Sequence, residues 1–104
     1  IKCLPCVGGD VRCLIFHGDV LTCPVLPECE IAVGNLPYRI SAALVTRLLG
    51  TPTLRRIVLL VQTEFARRLL ARPGELKYDR LSVLSLAMCE TVRIIDRVPP
   101  EAFD

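Results

Sequence analysis

The sequence predicts an α/β fold, and three observations predict it. Short aliphatic runs alternate with amphipathic stretches of helical period along the whole chain. The segment Arg56 to Val61 is an almost unbroken apolar run, as expected for a parallel strand covered on both faces. Ser41 and Thr63 stand just ahead of the two clearest helical patterns, where a hydroxyl can cap orphan backbone N–H groups.

Taken in order, Val11 to Phe16 reads as a buried strand, rich in aliphatics and bounded by Gly9-Asp10 and Gly18-Asp19, with His17 inside the strand pattern. Thr22 to Glu28 is a Pro-containing loop. Glu30 to Gly34 is a second short strand. Ser41 to about Leu49 is a helix with Leu44, Val45 and Leu48 on one face and Gly50 as its stop. After the Arg56 strand, Thr63 caps a second helix with Glu64 at its positive end and Phe65, Leu69 and Leu70 facing inward. Arg72-Pro73-Gly74 ends that helix. A short helical or irregular stretch around Arg80 to Leu86 follows. Glu90 to Val98 alternates well enough for an edge or antiparallel strand, closed by Pro99-Pro100. No internal repeat or low-complexity tract interrupts the pattern.

Composition narrows the class. With 104 residues, 52% of them hydrophobic, and a mean hydropathy of +0.48, the chain buries a core and is not disordered. No uninterrupted apolar run reaches the ~18 residues of a membrane-spanning helix. The net charge of +2 is too small to announce a nucleic-acid binder. The basic residues are nevertheless grouped, with Arg39 and Arg47 around the first helix, Arg55 and Arg56 opening a strand, and Arg67, Arg68, Arg72, Lys77 and Arg80 further on. Such a set suits phosphate contacts, and equally suits a solvated helix face. Six cysteines are present, and only Cys3-x-x-Cys6 has metal-like spacing. No second pair follows at zinc-knuckle spacing, so zinc at Cys3, Cys6, Cys23 and Cys29 is disfavoured, and all six read as reduced thiols.

One tetrapeptide carries the chemistry. Asn35-Leu36-Pro37-Tyr38 follows the apolar run Ile31-Ala32-Val33-Gly34 and precedes an amphipathic helix. The exocyclic amine of adenine is a poor nucleophile, because its lone pair is delocalised into the ring. Two acceptors, the Asn35 side-chain oxygen and the Leu36 carbonyl, can grip its two N–H groups and leave the lone pair facing an electrophile. Pro37 fixes the backbone, and the Tyr38 ring offers a stacking face for a base. The residues point to N-methylation of adenine, against the plainer reading of an ordinary Asn-Pro turn. Ligands in α/β sheets sit beyond the carboxyl ends of strands, where this motif and Gly18-Asp19 both fall. Asp19 is placed to accept a hydrogen bond from a cofactor's adenine amino group, or to serve only as a turn aspartate.

Five blocks in order resemble the rRNA adenine N6,N6-dimethyltransferase family. They are His17 to Leu21, Val33 to Ser41, Val61 to Leu69, Ala71 to Gly74 and Tyr78 to Val83, and Ala102-Phe103-Asp104 resembles the start of the family's Phe-x-Pro-Pro-Pro motif. The resemblance implies a Rossmann-like class I S-adenosylmethionine-dependent methyltransferase fold, with S-adenosylmethionine as methyl donor and small-subunit rRNA or the pre-ribosomal small subunit as partner. It further implies a monomeric, intracellular protein of ribosome biogenesis, nucleolar or nuclear if eukaryotic and otherwise cytoplasmic, that needs neither metal nor membrane. By position, Asn35, Leu36, Pro37 and Tyr38 match the catalytic motif, Asp19, Val20 and Asn35 the cofactor contacts, and Tyr38 and Phe103 the surroundings of the target base.

The family's glycine-rich cofactor loop and its acidic ribose-binding residue are expected ahead of Val11, yet Gly8-Gly9 lacks the G-x-G-x-x-G spacing. The fold is accordingly expected to be incomplete, without its first strands and C-terminal domain. Residues 1–104 would be the C-terminal, substrate-binding portion of the catalytic domain within a longer chain. The Val11 strand would then have no neighbour, and the segment alone would bind cofactor weakly. The alternative is a non-catalytic RNA-binding or ribosome-assembly factor with the same fold, which the upstream sequence would distinguish. A related N6-adenine or amide-nitrogen methyltransferase fits the Glu64-Phe65-Ala66 and Arg80-Leu81-Ser82 blocks less well.

Overall fold

The computed structural model describes residues 2–5 and 12–103, with 2–5 and 12–14 as backbone only. Cys6, Gly8-Gly9, Val11 and Asp104 lie outside the described residues, as do the side chains of Cys3 and Cys13. In chain order the elements are β1 (Lys2–Pro5), β2 (Arg12–Ile15), β3 (Ile31–Asn35), a 3-10 turn Tyr38–Ile40, α1 (Ser41–Leu49), β4 (Arg56–Leu60), α2 (Thr63–Leu70), α3 (Arg80–Met88) and a 3-10 turn Pro100–Ala102.

β3 and β4 form a parallel pair in which Ile31 faces Arg56, Val33 faces Val58 and Asn35 faces Leu60. The ladder is anchored at both ends. The Glu30 carbonyl accepts from Arg55 N at 2.7 Å and from Arg56 N at 3.1 Å, and Leu36 N donates to the Leu60 carbonyl at 3.2 Å. α1 is the crossover, as parallel strands require. Side chains alternate along a strand, so Ala32, Gly34, Ile57 and Leu59 line the half-buried face while Ile31, Val33 and Val58 lie on the exposed one. The expectation that the Arg56 strand is covered on both faces therefore holds for one face only.

The core gathers on the covered side. Val45 of α1, Phe65 of α2 and Leu81 of α3 are its buried centre, with Leu36, Leu49, Leu59, Val61 and Leu69 packed around them. α3 lies against both α1 and α2. The expected inward face of the first helix is observed, since Leu44, Val45 and Leu48 are all buried. Gly50 closes α1 by donating to the Thr46 carbonyl at 3.1 Å, and Gly74, at φ +92°, turns the chain beyond α2 where an L side chain would be strained.

Several expectations are corrected. The first strand does have a neighbour: β2 pairs antiparallel with β1, Lys2 opposite Ile15 and Pro5 opposite Arg12, in a sheet separate from β3–β4. It is also not buried where its side chains are described, because Ile15 is 46% exposed and Phe16 lies beyond the strand in solvent. Aliphatic content marks a strand but does not supply the second layer that would cover it. His17 lies outside the strand and is exposed. Neither Ser41 nor Thr63 is an N-cap; each is the first helical residue, with Ile40 and Gln62 at the cap positions and no side-chain capping bond. Glu90 to Val98 is not a strand, for alternation assigns faces while a strand also needs a backbone ladder, and none of the described strands offers it one. The stretch around Arg80 is a full helix, started by an Asp79 capping box: the Asp79 carboxylate accepts from Leu81 N and Ser82 N, and the Ser82 hydroxyl accepts from Asp79 N.

Candidate active site

Asn35 is the last residue of β3, so the motif begins at the carboxyl end of a parallel strand. The backbone then leaves the sheet in a geometry fixed from both sides. Leu36 N is held by the Leu60 carbonyl, and its side chain packs on the core. The Pro37 carbonyl accepts from Ile40 N at 3.2 Å and from the Ser41 hydroxyl at 3.0 Å. The Leu36 carbonyl accepts no hydrogen bond among the described residues, and it is the acceptor that the motif chemistry requires. Asn35 is exposed, and Tyr38 presents its ring to solvent at 75% exposure. An amide, an uncommitted carbonyl and an open aromatic face thus stand within four consecutive residues on a rigid support.

Gly34 contributes by its size. A Cβ there would meet Leu36 Cδ2 at 3.2 Å and Leu59 Cδ2 at 3.7 Å. The first contact is tight, and the Leu36 side chain is already committed to the core.

Asp19 sits in a turn four residues beyond β2. Its Oδ1 accepts from Leu21 N at 2.8 Å, and its carbonyl accepts from Thr22 N and Cys23 N. Oδ2 has no hydrogen bond among the described residues. Asp19 is therefore a turn aspartate with one carboxylate oxygen to spare. Val20, beside it, is 36% exposed. The turn is tied to the helix α1: the Arg47 guanidinium donates to the Val20 carbonyl at 2.5 Å and also to the Cys23 carbonyl.

The structure brings Asn35, Leu36, Pro37 and Tyr38 together and leaves the other candidates apart. β2 and β3 belong to different sheets, so Asp19 and Asn35 do not share one sheet edge. Phe103 follows the 3-10 turn Pro100–Ala102 and is 54% exposed; its described hydrogen bond, from its N–H to the Pro100 carbonyl, is local. Among the described residues, an open groove of about 500 Å³ beside Val25, Arg47 and Pro52 and another of about 540 Å³ beside Ala43, Thr46, Arg68 and Arg80 are not lined by the motif.

The basic cluster is partly committed. Glu64 takes both Arg67, at 3.2 Å, and Lys77, while Arg68 pairs with Asp79 at 2.8 Å and stacks over the Phe65 ring. The hydrogen bond from Arg68 holds the Asp79 carboxyl below its usual range. Arg39, Arg55, Arg56, Arg72 and Arg80 remain exposed without an ion pair among the described residues. Cys23, Cys29 and Cys89 are free thiols, and burial pushes Cys89 upward in pKa. Among the described residues, no three His, Cys, Asp or Glu side chains cluster as metal ligands, and no helix is long and apolar enough to cross a membrane.

The chain belongs to the ribosomal RNA adenine dimethylase family, whose model matches residues 8–104; these are S-adenosylmethionine-dependent methyltransferases. It is 42% identical over 96 residues to a ribosomal RNA small subunit methyltransferase A of Synechococcus sp. strain JA-2-3B'a(2-13), covering 86% of this chain and 33% of that protein. It is 43% identical over 89 residues to a probable ribosomal RNA small subunit methyltransferase A of Natronomonas pharaonis, covering 86% of this chain and 31% of the relative. A dimethyladenosine transferase of Chaetomium thermophilum is 45% identical over 70 residues, 66% of this chain and 18% of that one. The chain thus spans about a third of the length of the first of these relatives. No solved structure matches it significantly.

Two contributors were not evident from sequence. Ser41 reads as a cap but turns back to the Pro37 carbonyl, and Arg47 reads as a phosphate contact but binds two carbonyls of the Asp19 turn. The only sequence signal for Arg47 is a cation in a helix's last turn, which is common for its own sake.

Proposed function

We propose that this chain is the substrate-binding portion, residues 1–104, of an rRNA adenine N6,N6-dimethyltransferase acting on small-subunit rRNA during ribosome biogenesis. The observation that carries the reading is the Asn35–Tyr38 turn at the carboxyl end of β3, with its exposed amide, unbonded Leu36 carbonyl and open Tyr38 ring. Family membership and relatives named for small-subunit rRNA methylation support the substrate.

The donor set suits an adenine-bearing cofactor. The spare Asp19 oxygen could accept an amino N–H, Val20 offers apolar surface, and Asn35 ends a parallel strand, the edge at which ligands of α/β sheets sit. S-adenosylmethionine, when bound, supplies an electrophilic methyl group. The chain's own residues do the rest. The Asn35 amide oxygen and the Leu36 carbonyl accept the two amine hydrogens and so localise the nitrogen lone pair. Pro37 and Ser41 keep that carbonyl's turn from moving, Tyr38 stacks on the base, and Phe103 is matched by position to the aromatic near the target base. Catalysis then rests on orientation and polarisation rather than on a strong base. Exposed Arg39, close to the motif, is suited to a phosphate of the RNA.

The test is methyl transfer by the full chain carrying this sequence, with small-subunit rRNA and S-adenosylmethionine, read by mass spectrometry of the digested RNA. Dimethyladenosine in the product, absent without enzyme, supports the reading. Tight RNA binding without any methylated adenosine overturns it in favour of an assembly factor.

A further inference from the structure

We propose that Arg47 is a positioning residue for cofactor binding, acting through the Asp19 turn; this rests on the functional reading above. The Arg47 side chain donates to the Val20 carbonyl at 2.5 Å and to the Cys23 carbonyl, reaching back 27 and 24 residues. No other side-chain hydrogen bond among the described residues spans more than 14 positions. Among the described residues the turn's other hydrogen bonds are local: Thr22 N and Cys23 N donate to the Asp19 carbonyl, and Leu21 N donates to Asp19 Oδ1. Those bonds shape the turn but do not place it relative to anything else. Arg47 does so, because a planar guanidinium has donors enough to hold two carbonyls at once.

Its placement also links the two halves of the site. Arg47 is in the last turn of α1, while the first residue of α1, Ser41, is bonded to Pro37 of the amine-binding turn. One nine-residue helix therefore holds the Asn35–Tyr38 turn at one end and the Asp19–Cys23 turn at the other. The spare Asp19 oxygen keeps a fixed position relative to the methyl acceptor only while that grip persists. Lysine, a single ammonium, cannot reproduce the two-carbonyl fork.

The experiment is calorimetric binding of S-adenosylmethionine to the full chain as wild type, Arg47→Ala and Arg47→Lys, with RNA affinity and thermal midpoint measured on the same samples. A loss of about tenfold in cofactor affinity in Arg47→Ala, with RNA affinity changed less than about twofold, is expected for the removal of charge-assisted bonds that act on one ligand only. If Arg47→Ala does not fold, Arg47→Lys carries the same comparison. Unchanged cofactor affinity overturns the proposal, and so does a parallel loss of cofactor and RNA binding, which would make Arg47 merely structural. A wild-type protein that binds no S-adenosylmethionine overturns the functional reading itself and this proposal with it.

Discussion

The Ser41 hydroxyl donates to the Pro37 carbonyl at 3.0 Å, so the first residue of α1 fastens the turn from which the motif projects. Ser41 is 6% exposed, and Ile40 N donates to the same carbonyl. Ser41→Ala removes one of two bonds and is expected to cost about 1 kcal/mol or less of stability. Turnover should fall several-fold, because the neighbouring Leu36 carbonyl loses its brace. Kinetics at saturating substrates, beside a urea midpoint, checks this; full turnover would show that Ile40 alone suffices.

Asn35→Ala should lower methyl transfer by about 100-fold or more, the scale seen when one preorganised polar group is removed from a reacting centre. Asn35 is exposed, so stability should change by less than about 0.5 kcal/mol. Single-turnover methylation with matched unfolding curves tests both halves, and retained activity would remove Asn35 from the mechanism.

Tyr38→Ala should weaken RNA more than cofactor, by about 5- to 100-fold, since base stacking contributes about 1–3 kcal/mol. Tyr38→Phe should retain most of that affinity, the ring face being what is used. Equal losses in RNA and S-adenosylmethionine binding would argue against stacking.

Phe65→Ala should cost about 3–5 kcal/mol, the range for emptying a buried aromatic site. Phe65 clusters with Val45 and Leu81 in the buried core and carries the Arg68 guanidinium over its ring. A loss of that size consumes a large share of a typical domain stability of about 5–15 kcal/mol. Thermal unfolding of the variant would reveal it as a midpoint far below wild type.

Asp79 gives a pH signature of known sign. Its carboxyl is held low, chiefly by the hydrogen bond from Arg68, so the native state favours the ionised form. That contribution is fully present above the unfolded carboxyl pKa of about 4 and is lost as pH falls through the lower native value. Asp79→Asn should therefore lower the thermal midpoint at neutral pH, and the gap from wild type should shrink below about pH 4. A gap independent of pH would mean that the carboxylate charge is not what holds the α3 cap.

Local pattern explains what was legible in the sequence. The inward faces of α1 and α2 follow from helical period, and β4 and β3 from their aliphatic runs, within a residue at each end. The Asn35–Tyr38 turn was legible because its parts are contiguous. What failed depended on partners. Ile15 and Phe16 are apolar enough for a core, but among the described residues β2 pairs with β1 alone and both side chains stay about half exposed. Val92 and Ile94 flank Arg93 in the alternation an edge strand would show, yet find no ladder among the described strands. Ser41 and Thr63 are first helical residues rather than caps, and the Ser41 hydroxyl turns backward to the Pro37 carbonyl instead of capping. Arg47 could not be foreseen, since its acceptors lie 24 and 27 residues away.

Gly34 has a practical meaning for anyone hoping to retarget the proposed methyl transfer to another amine. It lies just ahead of the proposed amine-binding turn, so a library aimed at Asn35–Tyr38 would naturally include it as a harmless flank. Any side chain at 34 would press on Leu36 at 3.2 Å, and Leu36 is held by the core behind it. The atom pressed would be a methyl of the Leu36 side chain, in the residue whose carbonyl is the proposed amine acceptor. Diversity belongs at the aromatic position and beyond, with residue 34 kept as glycine in every member.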